Sequence, residues 1–542
     1  MGTTLKAYAV NDFMGGLVSD FDETQIPDNT AFDCLNVISK YGVLQKRVGY
    51  GNRLGDRAND PILLLDVFVD FNTMDKTLLR MTKRVIESYD PGTGYWTSLL
   101  ATPGSLTATD DDKCTGINWL STHWYLFTNG VDKILAYNGT GFFTTPISHL
   151  AKYMCLCSQH LVTANVTIGG TAYPSGVYCS DINDPFNWTI DPASDAYLNF
   201  LDDTPDEITG CINLGQITVI TKKEAIYEME YIGGNYKYNI TKRNEPVGCI
   251  APSSLVSTGK QIFFMGNDTD FYTFDGVNVV SISTPYVRNI IDKYFKWTYV
   301  NTIVGMIKPD INEVWFSLND GTYNCPVLAY SYIKGTWTKH NYPRIALNSA
   351  LYSFGLQLDN SWLSLNSWWM SYSVPWNRLG GNIPHVLHGT SHGGVFNETL
   401  LYRDDPKDDP TDGSYSIYSM WTSKLFDFGS PHLKELKRVQ LIFETSDLYA
   451  DSRITATIGT SYDGDSESII WGDTKYSIQA TSVNDYHNAT YLDLPRFDVD
   501  SLGNPTMSYT NRYFCIKLEH DMIDENFKLK KLVFWYKDRG VV

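Results

Sequence analysis

The sequence predicts an all-β protein: a β-propeller of about six or seven blades with an N-terminal arm and a C-terminal antiparallel β-sandwich-like domain. Three observations lead there. Aromatic residues make up 14% of the 542 residues, with 36 Tyr and 14 Trp beside 41 Gly, a mixture of strand and tight-turn material. A hairpin signature recurs, in which an aromatic strand end meets an Asp, Asn or Gly turn and a second aromatic-bearing strand follows. It reads SYDPGTGYWTSL from Ser88, AYNGTGFFTTP from Ala136, EYIGGNYKYNI from Glu230, YTFDGVNVVSI from Tyr272 and YSYIKGTWTKH from Tyr330. Finally, once YCSDINDPFNWT at 178–189 is counted, consecutive occurrences lie 42 to 58 residues apart, about the length of a four-stranded blade. One blade cannot bury its own faces, so a ring of blades is the physical solution.

The elements follow in order. Residues 1–60 hold QIPDNTAFDCLNV and GVLQKRVGY, a turn-rich arm with ligature strands ahead of the ring. Residues 61–410 form the propeller, where runs such as QITVITK from Gln216, KQIFFMG from Lys260 and NEVWFSL from Asn312 have ordinary strand length and patterning. Helix candidates are few, and VRNIIDKYFK from Val287 is the clearest. An aromatic-rich insertion near 361–384 breaks the blade pattern and packs Trp362, Trp368, Trp369 and Trp376 into a short span. It reads as buried hairpin packing or as an exposed loop that contacts a partner subunit. A crowd of acids and prolines, DDPKDDPTDGS, marks a boundary at about 405–420. Beyond it, in 411–542, SMWTSKLFDFG, ELKRVQLIFETS, RITATIGTSYDG and FKLKKLVFWYKD read as strands of a separate antiparallel sandwich.

Composition narrows function. With 43 basic and 61 acidic residues and a net charge of −18, the chain does not gain affinity for nucleic acid by neutralising phosphates, so sequence-reading nucleic-acid binding is not expected. The same charge suits a wall past which DNA slides without sticking. The opening MGTTLKAYAVNDFMGG has no uninterrupted apolar stretch of the secretory kind, and Lys6 stands where a myristoylation signal needs Ser or Thr. No apolar run approaches the roughly 18 residues that span a bilayer. Nine cysteines, of which only Cys155 and Cys157 are close in sequence, form neither a disulfide framework nor a zinc ribbon. Reduced thiols made in a cytoplasm are expected.

Candidate chemistry is sparse. YCSDINDPFNWT offers Ser180, Asp181, Asp184, Pro185 and Trp188. The two acids resemble a metal- or sugar-binding carboxylate pair. In the repeating series they read instead as a structural turn, with Asp184 and Pro185 setting the bend, Ser180 or Asp181 capping backbone N–H groups and Trp188 buried between sheets. Ser88, Asp90, Gly92 and Trp96 approach the Asp-box of propeller glycosidases, but Trp96 stands one residue too far along; Ser461, Asp463 and Gly464 begin another, with Trp471 too distant. The cluster His385, His388 and His392 would not converge on one ion from a strand, since residues three apart point to opposite faces. Acidic runs at 110–112 and 404–412 lack the spacing of a calcium loop. Sequons such as the one at Asn187 are about as numerous as this composition gives by chance. No phosphate loop, nucleophile elbow or zincin motif is present. The expectation is a protein without catalytic residues, metal or cofactor.

Several stretches taken in order resemble one family. FMGGLVSDFDETQIPDNTAFDCLNVISKYGVLQKRVGY, with Gly16, Asp28, Asn36, Gly42, Leu44, Arg47 and Gly49, is similar to the opening of tail nozzle, or tail-stabilisation, proteins of podovirus-type tailed bacteriophages. VYCSDINDPFNW, the stretch from Gly248 to Gly276 and the stretch from Leu387 to Gly429 are similar to the blades and ring-to-sandwich transition of those proteins. The resemblance implies a non-enzymatic structural virion protein that forms a ring, typically a homohexamer. Such a ring closes the DNA channel below the portal and its adaptor and opens for genome ejection. Its implied partners are other copies of the chain, the portal adaptor and tail fibre or spike proteins, with genomic DNA passing through without sequence-specific binding. The implied location is the virion tail, after synthesis in the host cytoplasm. Trp362, Trp368, Trp369 and Trp376 then become candidate subunit or channel contacts. A receptor-binding or fibre-like virion protein and a propeller glycosidase are the alternatives.

Overall fold

The computed structural model describes residues 4–18, 24–119, 124–318, 326–342, 347–354, 356, 358, 384–398, 405–406, 414–444, 453–479, 489–495, 497–499, 505–523 and 526–540. Seven antiparallel four-stranded sheets follow one another along the chain. Their first strands are Leu64–Val69, Thr115–Trp119, Leu150–Cys157, Ile208–Leu214, Val256–Ser257, Val304–Lys308 and Leu347–Phe354. Each of these first strands touches the first strand of the next sheet, and the seventh touches the first. That closes a seven-bladed propeller with the first strand of every blade innermost.

The hairpin signatures have a common place in this ring. In blades one to six the third and fourth strands are Ile86–Asp90 and Tyr95–Ser98, Leu135–Tyr137 and Phe142–Thr144, Thr171–Cys179 and Tyr197–Phe200, Ile226–Gly233 and Lys237–Lys242, Phe271–Phe274 and Val279–Ser281, and Pro326–Ser331 and Thr336–Asn341. Each signature spans or opens one of these outer connections. Gly94 and Gly335 show why glycine recurs in them, since both take positive φ (73° and 70°), where a Cβ is strained. Blade seven has no such hairpin. Its inner strands are Leu347–Phe354, Pro384–Thr390 and Val395–Glu398, and its outer strand is Tyr50–Arg53, brought from the start of the chain.

Packing closes the ring as well. Seven hydrophobic clusters fill the seven gaps between neighbouring blades: Leu79 and Phe127 sit between one and two, Leu126 and Leu161 between two and three, Val162 and Ile220 between three and four, and Val219 and Phe264 between four and five. Phe271 stacks on Phe316 between five and six, at 4.1 Å. Val327 and Phe396 lie between six and seven, and Leu387 and Leu65 between seven and one. The α-helix among the described residues, Pro285–Tyr294, begins with the Thr284 hydroxyl accepting from Val287 N and with proline at its first position. It buries Val287, Ile290 and Ile291, spaced to form one face, in the cluster between blades five and six.

The sandwich has its own core and draws on both ends of the chain. One sheet runs Val37–Lys40, Val43–Lys46, Lys528–Gly540, Leu433–Phe443 and Ala489–Asp493, with Lys6–Val10 also paired to Lys528–Gly540. The other runs Ala31–Leu35, Ser419–Ser423, Tyr513–His520, Arg453–Ser461 and Ile470–Trp471. Strands of the 1–60 segment are therefore divided: those from Lys6 to Lys46 complete the sandwich and Tyr50–Arg53 completes the propeller.

Candidate functional site

The turn at 178–189 leaves the third strand of blade three. The Ser180 hydroxyl, fully buried, accepts from Leu161 N at 2.9 Å and donates to Asp181 O. Asp181 Oδ1 accepts from Ile182 N and Asp195 N at 2.9 and 2.8 Å, and its Oδ2 from the Asn187 amide at 2.9 Å. Partial burial pushes this carboxyl up, but those three donors outweigh it and hold it below its ordinary value. Asp184 Oδ1 accepts from Phe186 N, and Trp188 Nε1 donates to Pro185 O, both at 2.9 Å. The Trp188 indole meets His149 and Tyr178 edge-on, with centroids 4.4 and 5.0 Å away. The carboxylate oxygens are thus engaged by local donors, and the arrangement fixes a loop against blade three.

The other acids of the Asp-box near-misses do the same. Asp90 accepts from Gly92 N and from the Thr93 hydroxyl at 2.8 and 2.9 Å, while Trp96 donates to Leu54 O at 2.7 Å. Asp463 takes the hydroxyls of Ser468 and Ser461, which hold it down at about 2. In the 110–112 run, Asp110 pairs with Lys83 at 2.9 Å and Asp112 accepts from Thr109. Trp362, Trp368, Trp369 and Trp376 lie outside the described residues, as does most of the 404–412 run. Among the described residues no three His, Cys, Asp or Glu side chains gather as a metal site.

The histidines separate. His385 Nδ1 faces the Asn397 amide group, His392 is exposed on the following turn, and His388 is buried on the opposite face of the strand. There His388 Nε2 lies 2.9 Å from Glu398 Oε2. Glu398 also accepts from Lys308 Nζ at 2.6 Å and from the Tyr342 hydroxyl at 2.9 Å. The Lys308 ammonium stands 3.3 Å from the centre of the Trp315 ring, which stacks on His340 at 4.6 Å and donates to Glu313 at 2.8 Å. Burial pushes the Glu398 carboxyl up, but the Lys308 charge and the His388 contact pull it far below the carboxylate range. His340 is driven down to about 3, first by burial and then by the Arg47 and Lys308 charges. This knot ties blade six to blade seven beside the closing strand. The sequence held no signal for it, because Lys308, Tyr342, His388 and Glu398 belong to three separate strands and a loop.

The N-terminal residues that carry the family resemblance meet at a second seam. Gly16 (φ 66°) lies so close to blade six that an added Cβ would stand 2.5 Å from Thr336 Cβ. Leu17 N donates to Trp337 O at 2.7 Å. Asn36, itself at φ 55°, gives its amide to Tyr418 O in the sandwich at 2.8 Å, and its Oδ1 accepts from Asn341 N of blade six and from Arg47 Nε. Arg47, buried, reaches Asn341 O at 2.9 Å and lies 4.2 Å over the Tyr342 ring. Asp28 pairs with Lys424 at 2.6 Å, Gly42 turns at φ 84° and Leu44 is in the sandwich core.

No family model matches the chain, and no curated protein matches it. Among solved structures, the Raptor protein of Chaetomium thermophilum is similar over 65% of this chain and 29% of that chain, at 9% identity and a TM-score of 0.37. A chain of the Mitotic Checkpoint Complex is similar over 65% of this chain and 93% of its own length, at 9% identity and a TM-score of 0.34. The chain spans less than a third of the Raptor chain. At such scores neither likeness carries an argument, and the propeller rests on its sheet order and ring contacts.

Proposed function

We propose that the chain is a structural subunit of a ring-shaped tail nozzle in a tailed bacteriophage, one that closes the DNA channel below the portal and adaptor and opens for genome ejection. The observation that carries this reading is the place of the N-terminal motif. Asn36 and Arg47, two of the residues on which the family resemblance rests, join the sandwich to blade six through part-buried hydrogen bonds, and Gly16, a third, packs closely against that blade. A subunit that holds pressurised DNA in a ring must pass load between its parts without hinging, and a seam of this kind serves that end. The net charge of −18 suits a conduit that does not bind its cargo. Identical subunits in head-to-tail contact close into a ring, here six copies, with the adaptor above and fibres or spikes around it.

Mass measurement of the purified chain, with negative-stain imaging, tests the reading. A ring of six 61.3 kDa subunits is expected, with no glycan hydrolysis. A stable trimer would favour the receptor-binding alternative, and a monomer that cleaves glycans would overturn the nozzle.

A further inference from the structure

The middle of the propeller holds an open cavity of about 640 Å³, lined by the inner strands of blades one to four and the segment that opens blade five. Its wall mixes apolar and polar surface, with Leu64, Ile117, Leu156 and Ile212 among its apolar residues, and its lining contains one cation, Lys113, and no carboxylate. Lys113 precedes the first strand of blade two, yet its Nζ donates to the hydroxyl of Ser253 in blade five at 3.1 Å. The bond therefore links blade two to the segment that opens blade five, three blades on in a ring of seven.

Among the described residues no carboxylate acts on its charge. The titratable groups facing it, the thiols of Cys114 and Cys249, are both pushed up to about 12 by burial and are neutral. The adjacent acid in sequence, Asp112, is engaged by the backbone N–H and hydroxyl of Thr109 at 2.7 and 2.8 Å. Burial of the ammonium drives Lys113 down to about 8, while the residue as a whole is half-buried. An ammonium has three donors, and one is directed to Ser253.

We propose that this axial cavity binds a small organic monoanion, a carboxylate with a short apolar body, whose charged end lies on Lys113 Nζ and the Ser253 hydroxyl. The apolar body rests against Leu64, Ile117, Leu156 and Ile212, since small-molecule sites pair an apolar wall with a polar group that fixes orientation. The inference concerns the centre of one propeller and does not rest on the nozzle reading.

Isothermal titration of the full chain with sodium octanoate, and with octanamide as a neutral probe of the same length, tests it. One octanoate per chain is expected, with octanamide at least tenfold weaker, as for loss of a charge-assisted hydrogen bond. Lys113→Met should lower octanoate affinity at least tenfold, and Lys113→Arg should retain part of it. In the native chain, affinity should fall as pH rises above 8 and the ammonium loses its proton. This last measurement needs no variant and stands if Lys113→Met fails to fold. Absence of octanoate binding, equal affinity for octanamide, unchanged affinity in a folded Lys113→Met chain or a flat pH profile between 7 and 10 would each overturn the site. None of these outcomes bears on how many copies form a ring.

Discussion

At the scale of the residue, Glu398 has the strongest claim on stability. Its removal in Glu398→Ala strands the Lys308 ammonium inside the seam between blades six and seven, and uncompensated buried charge costs about 3–5 kcal/mol. Denaturant titration at pH 7 should show that loss, and Glu398→Gln a smaller one. The folded Glu398 carboxyl is depressed, so its contribution is present above the ordinary carboxylate value, about 4.3, and fades as pH falls below it. His340, His149 and His520 act earlier. Burial lowers them to about 3, 4 and 3, so the unfolded chain takes up protons first. Their contribution is complete above about pH 6.5 and is lost as pH falls from there, each steepening the decline by up to about 1.4 kcal/mol per pH unit. Midpoints measured from pH 7 to 5 should fall accordingly, and less steeply in His340→Phe. Asp181→Ala frees three donors of the 178–189 turn and should cost about 1–2 kcal/mol. A loss of catalytic activity with fold and assembly intact would contradict its role as a turn residue.

At the scale of the element, the closing strand Tyr50–Arg53 is the decisive one. Tyr50 is buried and meets Phe396 edge-on at 5.4 Å. Tyr50→Ala should cost about 3 kcal/mol and loosen blade seven before any other. Amide hydrogen exchange reads this directly: protection should fall along Val395–Glu398, the strand it covers, while blades three and four keep theirs. The six outer hairpins were legible because a turn and its flanking aromatics are neighbours in sequence. The seventh was not, because its fourth strand lies some three hundred residues before its third, and pairing at that distance leaves no local pattern. The helix at 285–294 was legible for the same reason as the hairpins, through the spacing of Val287, Ile290 and Ile291.

At the scale of the whole molecule, the sandwich strands Ala31–Leu35 and Val37–Lys40 meet the outer strand of blade six, where Lys339 pairs with Asp33, and Asn36 touches both sides of the seam. Asn36→Ala removes those bonds and replaces a residue suited to a left-handed backbone. We expect calorimetry to resolve two thermal transitions in the variant where the native chain shows one, with ring assembly weakened. A single unchanged transition would show that the seam does not couple the two units. The candidate sites divide along the same line. The turn at 178–189 was found from residues close in sequence, whereas the Glu398 knot and the Lys113 cavity each gather side chains from several blades.

The sequence by itself determined an all-β chain of repeated hairpins, because alternation, turn chemistry and aromatic spacing are short-range and written once per blade. Only the tertiary structure decided that there are seven blades, that the N-terminal strands serve two units, and that a lysine of blade two bonds a serine at the opening of blade five. Those features depend on contacts between residues hundreds of positions apart, and such contacts are set by how the ring closes.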